Sequence, residues 1–203
     1  TLGLLYADHF PYLQKKTARG VRRTPFHHHL KENGAVFGEL AGWERANWFA
    51  NPGQDPNYAY SWKRQNFFDN VAAEHKAVRS NLGLYDMSSF GKIRVEGPDA
   101  CAFMNYIGGG QYDVPSGKIV YTQFLNDRAG IEADVTVTRL SETCYLVVTP
   151  AATRLADQTW MMRHKGAFNV VITDVTEIKS FLKQFLQLAL KIQAMLLLRV
   201  CFF

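Results

Sequence analysis

Residues 120–140, VYTQFLNDRAGIEADVTVTRL, constrain this chain more than any other stretch. Two runs of alternating character flank Asn126–Gly130, so the chain reverses there and pairs its arms as an antiparallel hairpin. Successive side chains of a strand point to opposite faces. On the second arm Ile131, Ala133, Val135 and Val137 take one face, and Glu132, Asp134, Thr136 and Thr138 take the other. The apolar face calls for a covering layer. The acids have two readings: a wet sheet face, or a carboxylate that touches a ligand. Alternation alone does not separate them.

The sequence around this hairpin supplies the covering layer. Residues 69–83 predict a helix, with Asp69 or Asn70 as cap, Val71, His75, Val78 and Leu82 at helical spacing, and Gly83 as the stop. LYDMSSFGKIRVEG alternates as a strand, and Gly97-Pro98-Asp99 opens a second helix over DACAFMNYI. TCYLVVT reads as a further strand, AATRLADQTWMMRHK as a helix and AFNVVITDV as a strand. Short strands joined by tight turns and interleaved with helices predict an α+β fold with a mixed or antiparallel sheet. Residues 24–66, rich in Gly, Pro, Asn and aromatics, read as an irregular segment pinned by Trp43, Trp48, Phe49 and Trp62.

Composition bounds the function. The chain has 203 residues, 47% hydrophobic and 20% charged, the balance of a globular protein. The formal charge of +5 owes much to QKKTARGVRR, residues 14–23, which stands alone and reads as a solvated linker and not as a nucleic-acid patch. Cys101, Cys144 and Cys201 show no ligand spacing, which suits free thiols in a reducing compartment. No signal peptide is visible, and the start at Thr1 suggests that the beginning of the protein is absent. His27, His28 and His29 are adjacent, so they do not point one way as metal ligands would, and no metal site is expected. Gly108–Gly110 lacks the Lys-Ser/Thr of a phosphate loop, and no GxGxxG occurs. His75 and His164 read as surface or boundary residues of helices.

Four stretches in order, GWERANWFA (42–50), YSWKRQNFF (60–68), GLYDMSSFGKIRVEGPDA (83–100) and the hairpin, resemble the folate-linked methylamine dehydrogenases. These are the dimethylglycine and sarcosine dehydrogenases, with the pyruvate dehydrogenase phosphatase regulatory subunit as a non-enzymatic relative. The resemblance covers roughly residues 1–178. It implies that residues 1–66 are the end of a flavin oxidoreductase part and a central linking segment. Residues 67–178 would be the first part of a folate-binding domain similar to the glycine cleavage T-protein, an aminomethyltransferase.

The resemblance also chooses between the acids. Asp134 matches the family's acid beside the reactive nitrogens of the folate, and Tyr121, on the preceding strand, matches a tyrosine of the same pocket. In the hairpin the two would lie opposite or adjacent. Asp134 is thus the expected catalytic residue, Tyr121 and Asp134 the expected tetrahydrofolate-binding residues, and Glu132 is expected to be solvent-exposed. The implied chemistry is oxidative demethylation of an N-methylated glycine, with FAD held in an N-terminal domain outside this chain and tetrahydrofolate on a partial site within it. The chain itself, without a glycine-rich phosphate turn, is not expected to bind FAD. The expected partner is a small methylamine, and the compartment is the mitochondrial matrix for a eukaryotic protein or the cytoplasm for a bacterial one. Two alternatives stand beside this: a regulator acting by contact, against which Asp134 speaks, and a stand-alone aminomethyltransferase, which would lack the GWERANWF segment.

Residues 179–203, KSFLKQFLQLALKIQAMLLLRVCFF, depart from the family pattern. Arg199 and Lys191 interrupt the apolar run before the roughly 18–20 residues of a membrane span. Such a tail suggests a truncated or misread gene product. It is expected to dock as a helix on open apolar surface, to drive self-association, or to attach to a membrane surface.

Overall fold

A computed structural model describes residues 11–80, 83 and 85–177. They form two compact units that divide between Ser88 and Ser89. The tail at 179–203, and Leu82 of the expected helical stripe, lie outside the described residues.

The first unit holds β1 (Arg22–Arg23), α1 (His27–Glu32), β2 (Ala35–Leu40), β3 (Trp43–Phe49) and α2 (Phe68–Ser80). Its strands lie in the order β1-β3-β2, with β2 and β3 antiparallel and β1 parallel to β3. Residues 24–66 are therefore not irregular throughout, since a hairpin occupies 35–49. Its turn is Ala41–Gly42, with φ of 51° and 82°. Two successive positive φ values match the right-handed twist of the strands and allow a two-residue connection. Ala in place of the usual Asn or Asp hides this turn from the sequence. Trp43 and Trp48 are buried as expected, but Trp62 is 74% exposed. Tyr58 and Phe67 instead pack on Trp48, with ring centroids 6.2 and 5.5 Å away.

The basic run is not a free linker either. Arg19 donates from Nε to Glu44 Oε1 at 2.8 Å and from Nη2 to Oε2 at 2.5 Å, and the Gly20 amide donates to Oε1 at 2.6 Å. Glu44 is only 5% exposed, so a carboxylate on the inner face of β3 draws the basic run against the sheet. This bidentate pair holds the Glu44 carboxyl below its ordinary range and raises the Arg19 guanidinium, burial opposing both.

In α2 the buried positions are Asn70 and Glu74, while Val71 and Val78 are half-buried and His75 is exposed. The inward face is thus rotated from the expected stripe, and Asn70 lies inside the helix instead of capping it. The Asn70 side-chain amide donates to Phe49 O at 2.8 Å, which gives a polar residue a reason to face inward.

The second unit holds β4 (Gly91–Glu96), α3 (Ala100–Ile107), β5 (Ile119–Leu125), β6 (Ile131–Ser141), β7 (Cys144–Thr149), α4 (Arg154–His164) and β8 (Val171–Asp174). The five strands are ordered β5-β6-β7-β4-β8, and every neighbouring pair is antiparallel. Ala100, Phe103, Met104 and Ile107 recur at helical spacing on α3 and are buried with Ile93, Val95, Val135, Val137, Tyr145 and Val147 of the sheet. Met161 brings α4 onto the same core. The strand expected from Leu84 onward begins only at Gly91, because Asp86 Oδ1 accepts the Ser88 amide at 2.9 Å and folds that stretch into a turn. Similarly, β8 is shorter than AFNVVITDV, since the Asn169 amide donates to Asp99 Oδ2 at 2.8 Å instead of entering the ladder.

Candidate functional site

The hairpin turn sets the geometry of the site. Asn126 Oδ1 accepts the Arg128 amide at 3.0 Å and the Gly130 amide at 2.8 Å, and the Asn126 amide donates to Gly130 O at 2.9 Å. An Asn side chain that bonds its own turn in this way selects one connection length and hence one register. A bulge between Phe124 and Leu125 then leaves Gln123 paired with Asp134 and Tyr121 paired with Thr136. Ala133, Val135 and Val137 are buried. Glu132 and Asp134 are exposed on the face turned away from the helices, whereas Ile131, expected on the apolar face, is 69% exposed beside the bulge.

Tyr121 and Asp134 come together. The Tyr121 hydroxyl donates to Asp134 Oδ2 at 2.9 Å, across the diagonal of the ladder. The hydrogen bond and charge of Asp134 push the Tyr121 phenol above its ordinary value. Glu132 is exposed as expected, and its Oε1 accepts from Asn126 Nδ2 at 2.6 Å, which leaves it serving the turn. A third member, Gln123, escapes motif reading: its Nε2 donates to Asp134 Oδ1 at 3.1 Å. Counting residues outward from the turn would place it opposite Asp134, but only once the bulge is known.

Gly108–Gly110 lies along the outer edge of β5. The Gly109 amide donates to Gln123 O at 2.9 Å, and Gly108 bridges to Phe124. This strap is packed tightly: a Cβ on Gly108 would come within 2.0 Å of the buried Tyr112 hydroxyl. The adjacent histidines have separate surroundings. His27 stacks on Phe37, centroids 4.3 Å apart, while His28 Nε2 and His29 Nδ1 lie 3.1 and 3.6 Å from the Glu32 carboxylate. Among the described residues no three His, Cys, Asp or Glu side chains gather as a metal site, and no helix is long and apolar enough to cross a membrane.

What these elements define is a fold similar to that of an aminomethyltransferase. The glycine cleavage system aminomethyltransferase T from Bartonella henselae superposes with a TM-score of 0.60 over 77% of this chain and 39% of that one, at 24% identity. The chain belongs to the GCVT N-terminal domain family, which matches residues 26–185. Its sequence is 52% identical over 175 residues to the 4-methylaminobutanoate oxidase (formaldehyde-forming) of Paenarthrobacter nicotinovorans, covering 86% of this chain and 21% of the oxidase. It is 29% and 28% identical over 173 residues to the mitochondrial dimethylglycine dehydrogenases of Rattus norvegicus and Homo sapiens, covering 83% of this chain and 20% of each. The resemblance read from the four sequence stretches therefore holds: this is an aminomethyltransferase-like stretch related to oxidases of the dimethylglycine dehydrogenase type. The chain spans about a fifth of the length of these relatives.

Proposed function

We propose that this chain supplies the tetrahydrofolate-binding, one-carbon-accepting part of a flavin-dependent oxidase that demethylates an N-methylated amino acid. The observation that carries the proposal is the Asp134 carboxylate, presented on the helix-free face with the Tyr121 hydroxyl at 2.9 Å. A carboxylate beside a phenol ring fits a reduced pterin, which offers N–H donors on a flat ring. Tetrahydrofolate, when bound, supplies the nucleophilic nitrogen that takes up the one-carbon unit. Asp134 accepts an N–H of the ring system, orients it and stabilises positive charge developing there. Tyr121 lines the same position and fixes one carboxylate oxygen. FAD, which supplies the oxidation, belongs to a separate domain of the whole enzyme.

Dimethylglycine, sarcosine and the 4-methylaminobutanoate of the relative's name are all N-methyl amines that carry a carboxylate, so an N-methylated amino acid is the proposed substrate class. Relatives named as an oxidase and dehydrogenases support this reading over a regulator acting by contact. Calorimetric titration of the 203-residue chain with tetrahydrofolate tests it. Weak but saturable binding is expected, since this chain carries only part of the pocket, with Asp134→Ala weakening it at least about tenfold, the effect of losing a hydrogen bond to a charged group. Binding that is absent, or unchanged in Asp134→Ala, overturns the proposal.

A further inference from the structure

Gln123 stands directly across the ladder from Asp134 and donates to Oδ1, while Tyr121 holds Oδ2. An Asp carboxylate on an exposed strand face is otherwise a nearly free two-fold rotor. Two donors on separate oxygens remove that freedom before any ligand arrives. The Gln123 backbone is held as well, because its carbonyl accepts the Gly109 amide at 2.9 Å. The donor is thus borne on a strand flanked on both sides, which locates its amide more closely than a loop would.

We infer that Gln123 is a positioning residue, whose side-chain amide locks the Asp134 carboxylate in the plane that receives the N–H groups of a pterin-like ring. The inference rests on the reading of Asp134 as the ligand acceptor. The ordinary alternative is a surface polar pair that supports the sheet and nothing more.

Ligand binding distinguishes the two, and the Tyr121 phenol reports whether the amide is in place. Asp134 raises its pKa, whereas the Gln123 amide, a donor to the other oxygen of the same carboxylate, lowers it. Glu132, the next acid along β6, is engaged by Asn126. The two substitutions should therefore move the phenol in opposite directions. The test is residue-resolved NMR of ring-labelled tyrosine in the 203-residue chain, with the Tyr121 signal assigned from Tyr121→Phe. Gln123→Met keeps the side chain's length without its amide, and Gln123→Val removes every donor with a strand-forming residue. Both should raise the phenol midpoint above wild type and weaken tetrahydrofolate binding about three- to tenfold, the scale of one hydrogen bond, without lowering the melting temperature. Asp134→Asn should lower the midpoint. If the Gln123 variants leave binding at wild type while Asp134→Asn weakens it, whatever the phenol midpoint does, the inference about Gln123 falls and the ligand site stands. If Asp134→Asn leaves binding unchanged, the reading of the site falls with it.

Discussion

Tyr121 reaches Asp134 along the diagonal of the β5–β6 ladder, hydroxyl to Oδ2 at 2.9 Å, although its direct partner in register is Thr136. Long side chains span this diagonal where short ones do not. The pair therefore tolerates no change in the length of either member, while the backbone beneath it is held by the turn and not by the pair.

Tyr121→Phe isolates the hydroxyl from the ring. Because Tyr121 is 67% exposed, the unfolding free energy should stay close to that of wild type. Tetrahydrofolate binding should weaken about three- to tenfold, since one oxygen of Asp134 loses its donor. Denaturant melts beside calorimetric titrations check both halves. A large loss of stability would show that the hydroxyl serves the fold.

Arg19→Met leaves the Glu44 carboxylate, 5% exposed, without its cation. Breaking a fully buried pair costs about 3–5 kcal/mol, and with Arg19 itself 28% exposed the expected cost is about 2 kcal/mol. The pH dependence has a definite sign. The folded-state pKa of Glu44 lies below its ordinary value of 4.5, so the pair's contribution is complete above that value and is lost as pH falls through the lower, folded pKa. Denaturation followed by tryptophan fluorescence should show wild type losing this increment on acidification below about pH 4.5. The Arg19→Met chain should lose less over the same interval. Equal acid sensitivity in both would remove the pair from the account of stability.

Gly108→Ala tests the strap along β5. The backbone there is extended, so the objection is steric: the new methyl meets the Tyr112 hydroxyl at 2.0 Å, and Tyr112 is fully buried. Either must move, at a cost of about 1–3 kcal/mol. Since Gly109 donates to the Gln123 carbonyl, tetrahydrofolate binding should also weaken. Hydrogen exchange of the Gly109 amide reports the strap directly, and unchanged protection would contradict the argument.

The sequence carried the parts of this protein that depend on local order. Alternation from Ile119 to Ser141 around Asn126–Gly130 specified a hairpin, because side-chain direction in a strand follows from backbone geometry alone, and Gly97-Pro98-Asp99 marked the start of α3. The same alternation put Asp134 on the polar face, and the motif match brought Tyr121 to it. Tertiary structure decided the rest. The bulge at Phe124–Leu125 fixed that Gln123, two residues beyond Tyr121, faces Asp134, and no one-dimensional pattern encodes a bulge. The hairpin over 35–49 was hidden by an Ala–Gly turn. Its buried Glu44 took a cation from a basic run 25 positions earlier that, read alone, is a solvated linker. A charge in sequence has no partner until burial makes one necessary: water satisfies an exposed arginine, but a carboxylate taken out of water must be met by protein, and only the fold determines which residue arrives.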